Sequence, residues 1–164
     1  MTTKRHGYLM IGNAALVLLL GLLSGFALLF NLLGEITLWP IPGSLDVQIP
    51  GEPKRWVAAH IGNIMNALML IAVALCLPHL RFSLGTEKFV AWGLIITAWG
   101  NAGFYILSAL GASGRGLSFG PNRFGGDVLS QVAFMSAYPA AVIAIIVMIL
   151  VANRAFAMAC EKED

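Results

Sequence analysis

Charge is what this sequence has least of. Only 11% of its 164 residues are Asp, Glu, Lys or Arg, less than half the roughly 25% of an ordinary soluble domain. Ten basic and eight acidic side chains are too few to clothe a water-exposed surface of this size. A net charge of +2 supplies no field to draw a polyanion, so a nucleic-acid partner is excluded. Cysteine is equally scarce. Cys76 and Cys160 build no disulfide framework, and neither has the Cys-x-x-Cys spacing of a redox or metal site. Polar–apolar alternation is missing from the long apolar stretches, which argues against strands. Internal repeats and low-complexity tracts are missing as well.

What is abundant is apolar surface. Hydrophobic residues make up 59% of the chain and mean hydropathy is +0.83. Every charge lies outside four apolar runs, residues 8–33, 56–77, 89–110 and 128–151. Each run has the roughly 20 residues a helix needs to cross the hydrocarbon core, whereas an open sheet would leave its edges unsatisfied in lipid. The expected fold is an all-α membrane protein: a four-transmembrane-helix bundle forming a single integral membrane domain over residues 1–164. The first run follows Lys4 and Arg5 as a signal peptide would. It is too long for one and lacks a small-residue cleavage site, so it is expected to be retained. Gly21 and Gly25 form a GxxxG pair, read as close helix packing in preference to an oligomer seam.

With four spans both termini share one side. That side collects Lys4, Arg5, Arg81, Lys88, Arg154 and Lys162, and the other holds Lys54, Arg55, Arg115 and Arg123. The excess places both termini in the cytoplasm by the positive-inside rule. Cys76 and Cys160 then lie near the cytoplasmic face, where thiols stay reduced and no disulfide is expected. The loop 34–55 carries Pro40, Pro42, Pro50 and Pro53, so turns rather than helix should order it. Its apolar residues fit a segment resting at the membrane interface or over the bundle mouth. The loop 78–88 is short, and 111–127 is glycine-rich. Within the latter, Gly111-x4-Gly116-Leu117-Ser118 imitates a phosphate-cradling loop. It lacks the lysine and the preceding strand, and is rejected as a nucleotide site.

Few hydrogen-bonding side chains remain inside the spans. His60, Asn63 and Asn66 step round the second helix by 60° each and form an oblique polar stripe. His60 is the only histidine within a span, and an ionisable group in the membrane is a functional-site hypothesis by default. The bland reading is an interhelical hydrogen bond. Two asparagines on the same stripe weigh against it, because each further buried polar group costs desolvation. The third helix carries Thr97, Asn101, Tyr105 and Ser108 on one face. His60 and Tyr105 lie at similar depth, as do Asn66 and Asn101, so the two stripes can share a cavity if the helix rotations agree. The spans hold no Asp or Glu, which excludes a buried carboxylate dyad or a Ser–His–Asp triad. One histidine without Cys or carboxylate neighbours makes a poor zinc site, but it is enough for one axial position of a haem.

The block Trp56-Val-Ala-Ala-His60-Ile-Gly-Asn63-Ile-Met-Asn66-Ala-Leu-Met-Leu-Ile-Ala, together with Trp99-Gly-Asn101-Ala-Gly-Phe-Tyr105, resembles the styrene oxide isomerase family over essentially the whole chain. That resemblance implies a small enzyme of the bacterial cytoplasmic (inner) membrane that converts styrene oxide to phenylacetaldehyde. It implies a homotrimer with haem b at the subunit interfaces, embedded in membrane lipid and acting on a small aryl epoxide. His60 is then the axial iron ligand, and Asn66, Asn101 and Tyr105 are the catalytic or substrate-orienting groups. Asn63, added from the helical stripe, is a further cofactor-side candidate. The implied chemistry is Lewis-acid epoxide opening at ferric haem followed by a 1,2-hydride shift.

His60 and Asn66 are six residues apart, roughly 9 Å along one helix, so they cannot easily approach opposite faces of one iron. The distal groups should come from another helix or a neighbouring protomer. Lys54, Arg55, Arg115 and Arg123 are candidates for the haem propionates, and Trp92, Trp99, Phe104 and Phe134 for a phenyl pocket. Solvated anchors and plain packing are the bland readings of the two sets. Two other functions stay open: a non-catalytic haem-carrying anchor or electron-transfer subunit, and a small multidrug-type carrier. The missing membrane carboxylate weakens the carrier.

Overall fold

The computed structural model of the chain describes residues 2–110, 116–117 and 126–160. Arg115 and Arg123, together with Gly111 and Ser118 of the rejected phosphate-loop imitation, lie outside the described residues, as does Lys162.

Four helices dominate: α1 (Thr2–Leu33), α2 (Pro53–Cys76), α3 (Leu84–Ala109) and α4 (Val128–Cys160). All four are long and apolar enough to span a membrane, so the chain is an all-α protein with four membrane-spanning helices. Each helix runs past its apolar run at one end or both, because hydropathy marks the lipid-immersed part while the backbone keeps its helix through the charged interfacial turns. Pro53 opens α2, where a missing N–H is harmless. Ser83 caps α3, its Oγ accepting from the Thr86 N–H at 3.4 Å. An Asp127 carboxylate oxygen accepts from the Ser130 N–H at 2.8 Å at the start of α4.

The first loop is ordered, as its prolines predict. It contains a two-stranded antiparallel hairpin, β1 (Ile36–Thr37) and β2 (Ser44–Leu45), in the register Ile36 to Leu45 and Thr37 to Ser44. Asn31 of α1 clamps the returning chain: its amide donates to the carbonyls of Ile49 at 2.7 Å and Gly51 at 3.1 Å. Trp56 donates from its indole to the Pro50 carbonyl at 2.8 Å. These bonds satisfy backbone groups that a loop at the membrane edge would otherwise strand.

Packing follows chain order, α1 on α2, α2 on α3, α3 on α4, with α1 also touching α3. Small residues set the close approaches. On α3, a Cβ at Gly100 would come within 2.6 Å of the Ser136 carbonyl, and one at Gly93 within 2.9 Å of Val147. Thr97 donates to the Ala140 carbonyl at 3.1 Å. The main core joins Met10, Ala14 and Val17 of α1 to Leu70 of α2 and Val90 and Leu94 of α3. At the opposite end from the hairpin, His6 Nδ1 meets Glu87 Oε1 at 2.6 Å, with both side chains largely buried. Hydropathy placed both residues outside the spans, yet the length of α1 and α3 brings them into the bundle end.

Candidate functional site

The site is organised by the two faces of α2. His60 points toward α1, where its Nδ1 lies 2.8 Å from the Gly21 carbonyl oxygen. A carbonyl only accepts, so Nδ1 carries a proton, and in the neutral ring Nε2 is then the nitrogen that holds the lone pair. Gly25, one turn further along α1, makes room for the ring: a Cβ there would sit 2.8 Å from Nδ1. The GxxxG pair is therefore a helix-packing device within the chain, and it is the seat of the histidine.

Asn63 lies on the same seam, its Cβ 3.2 Å from where a Cβ on Gly21 would stand. Its side chain is fully buried, and neither amide atom has a partner among the described residues. Such orphans are rare in folded proteins and cost about 1–3 kcal/mol each when nothing satisfies them.

The opposite face of α2 meets α3. Asn101 donates from Nδ2 to Asn66 Oδ1 at 3.0 Å, leaving the buried Asn66 Nδ2 without a partner among the described residues. Tyr105 packs across Gly62, where any Cβ would overlap the phenol ring. Tyr105 also lines a cavity of about 340 Å³ with Phe104, Ser108, Ala58, Arg55, Lys54 and Glu52. Arg55 crosses this cavity's rim, donating to the Ser108 carbonyl at 3.0 Å and pairing with Glu52 at 3.5 Å. No described residue hydrogen-bonds the Tyr105 hydroxyl.

Two expectations need correction. The stripes do not share one cavity within a single chain: Gly62, which faces Tyr105, is two residues from His60 and so about 160° round the helix. Asn66 and Asn101 meet, while His60 is turned to α1. Thr97 also leaves its stripe, because α3 presents it to the α4 backbone. Of the aromatic candidates, Phe104 lines the cavity beside Tyr105. Trp99 donates to Asn13 Oδ1 at 2.9 Å, Phe134 stacks on Tyr138, and Trp92 is half exposed. Cys76 and Cys160 are both free. No group of three or more His, Cys, Asp or Glu that could hold a metal ion occurs among the described residues.

The sequence profile of the styrene oxide isomerase family matches residues 6–156. The chain belongs to the styrene oxide isomerase family. A curated relative, the styrene-oxide isomerase of Pseudomonas fluorescens, is 40% identical over 131 residues, covering 79% of this chain and 76% of that protein. Membership of this isomerase family makes the chain a membrane-embedded enzyme, and all five candidate residues lie inside the matched segment.

Gly21, Gly25 and Gly62 were not legible as site residues. The first acts through its backbone carbonyl and the other two through the space they leave, and neither property has a side-chain signature. Their spacing was the available signal: Gly21 and Gly25 are four apart, and Gly62 sits among the polar residues of α2.

Proposed function

We propose that this styrene oxide isomerase family member converts small aryl epoxides, styrene oxide to phenylacetaldehyde in particular, using haem b held by His60 where copies of the chain meet in a homotrimer. The observation that carries this reading is the His60–Gly21 bond at 2.8 Å. Fixing Nδ1 on a backbone carbonyl is how proteins orient an imidazole whose other nitrogen ligates a metal. The residues present fit a single-histidine haem: a free Nε2, a glycine bed at Gly25, an unpartnered amide on Asn63 and an unpartnered Nδ2 on Asn66.

When bound, ferric haem supplies a Lewis acid that polarises the epoxide oxygen. The chain supplies the rest. Tyr105 offers its O–H to that oxygen as charge develops there, a preorganised dipole of the kind that stabilises oxyanions. Asn101 fixes the rotamer of Asn66 by donating to its Oδ1, which leaves Asn66 Nδ2 as a second donor. Asn63, one turn from His60, is the further cofactor-side residue. Hydrogen moves between two carbons of the substrate, so no residue has to shuttle a proton. The apolar part of the lining, Ala58, Phe104 and the Tyr105 ring, limits water beside the opening epoxide and so disfavours the diol.

His60 and Tyr105 occupy opposite faces of α2, which favours a site completed by a neighbouring protomer. In this reading the chain is a multi-pass protein of the bacterial cytoplasmic membrane with both termini in the cytoplasm. Lys54 and Arg55, at the cavity beside Tyr105, are the candidates for the haem propionates. The test is direct: purify the protein from cells grown with ample haem, record the visible spectrum, and add styrene oxide. A Soret band and phenylacetaldehyde are expected. No Soret band overturns the cofactor, and a haem-loaded protein that forms no aldehyde leaves the non-catalytic haem subunit.

A further inference from the structure

The hairpin of the first loop has a composition unlike the segments around it. Residues 36–45 carry no charge, and an acid stands at each foot, Glu35 and Asp46. The tip is bare. Trp39 is 93% exposed, with Leu38 at 55% and Ile41 at 66%. The tip is also shaped, since the Ile41 N–H donates to the Leu38 carbonyl at 2.7 Å. It does not project away from the bundle. Leu38, Trp39 and Ile41 share a cavity with Phe26, Leu29 and Phe30 of α1, on a flank of the helix where Phe26 and Leu29 are themselves exposed. Phe26 is seven residues, or about 10 Å, inside the carboxyl end of α1. The hairpin therefore turns back beside the spanning helix.

We infer that this hairpin tip inserts into the leaflet surrounding the carboxyl end of α1, with Leu38, Trp39 and Ile41 in contact with lipid. The occupant is lipid because the tip is continuous with the apolar outer flank of a membrane-spanning helix. A tryptophan at this height sits where amphipathic rings settle, between acyl chains and headgroups. The acids at the feet mark the water side, so the contact depends on apolar burial and needs no anionic lipid. The Asn31 clamp on Ile49 and Gly51 ties the chain that leaves the hairpin back to α1, so the base of the loop is anchored to the spanning helix.

The test uses the full chain with Cys76→Ser and Cys160→Ser, reconstituted in phosphatidylcholine vesicles. A nitroxide is placed at Ile41→Cys, at Leu38→Cys, and for reference at Asp46→Cys. Collision with oxygen, which concentrates in lipid, should exceed collision with a water-soluble nickel chelate at positions 41 and 38. The order should reverse at position 46. A tip label that behaves like the one at position 46 overturns the inference. So does a tip label shielded from both reagents, because it means that a second copy of the chain covers the hairpin. Two independent tip positions guard against a variant that misfolds.

Discussion

At the scale of single residues, the site depends on groups that carry no chemistry of their own. His60 is aimed by a carbonyl and accommodated by a missing side chain. Gly25→Ala should force the ring away, since its new Cβ would stand 2.8 Å from Nδ1. The expected outcome is loss of haem absorbance per protein, while Gly12→Ala, which meets nothing within 4 Å, leaves the spectrum intact. Tyr105→Phe should behave differently. It removes only the hydroxyl, so haem is retained and turnover of styrene oxide falls by about 10²-fold, the usual effect of losing one preorganised donor. His60→Ala should abolish both. The polar candidates were legible in the sequence because hydrogen-bonding side chains are so few within the spans. Their supports were not, for a backbone acceptor looks the same at every residue.

At the scale of elements, α2 is a two-sided helix: the α1 side seats His60 and the α3 side carries Gly62 and Asn66. Sequence periodicity supplied the angles round the helix, but which neighbour each angle faced depended on packing. The far end of the bundle shows the same dependence. His6 and Glu87 are distant in sequence, and nothing in hydropathy pairs them. Their contact at 2.6 Å fastens α1 to the first turn of α3. Removing one member of a buried hydrogen-bonded pair leaves the other unsatisfied, at a cost of about 1–3 kcal/mol. Glu87→Ala should therefore lower the unfolding midpoint in detergent markedly. Replacing both residues with leucine should lower it much less, because no buried polar group is then left unsatisfied.

At the scale of the whole molecule, the four spans were readable almost in full from charge placement, because lipid imposes one rule on every residue it touches. The hairpin was not, since two-residue strands leave no periodic pattern. The assembly is where the proposed function makes its strongest demand. If His60 of one protomer and Tyr105 of the next complete each site, neither His60→Ala nor Tyr105→Phe protomers alone give a full site. Co-expressed in equal amounts, they should restore about a quarter of wild-type activity, the fraction of ring interfaces that draw both intact residues. A mixture no better than its better parent would place both groups in one protomer. One feature of the bundle bears on all of this. Polar contacts hold α1 at three heights: His6 with Glu87, Gly21 with His60, and Asn31 with Ile49 and Gly51. A helix held at a single height can slide as the surrounding bilayer thins or thickens. One fastened at three cannot, and the mismatch has to be taken up by tilting the bundle as a body or by stretching the lipid. The seat of the histidine should therefore keep its geometry in bilayers of different thickness, with the same haem spectrum expected in short-chain and long-chain phosphatidylcholine.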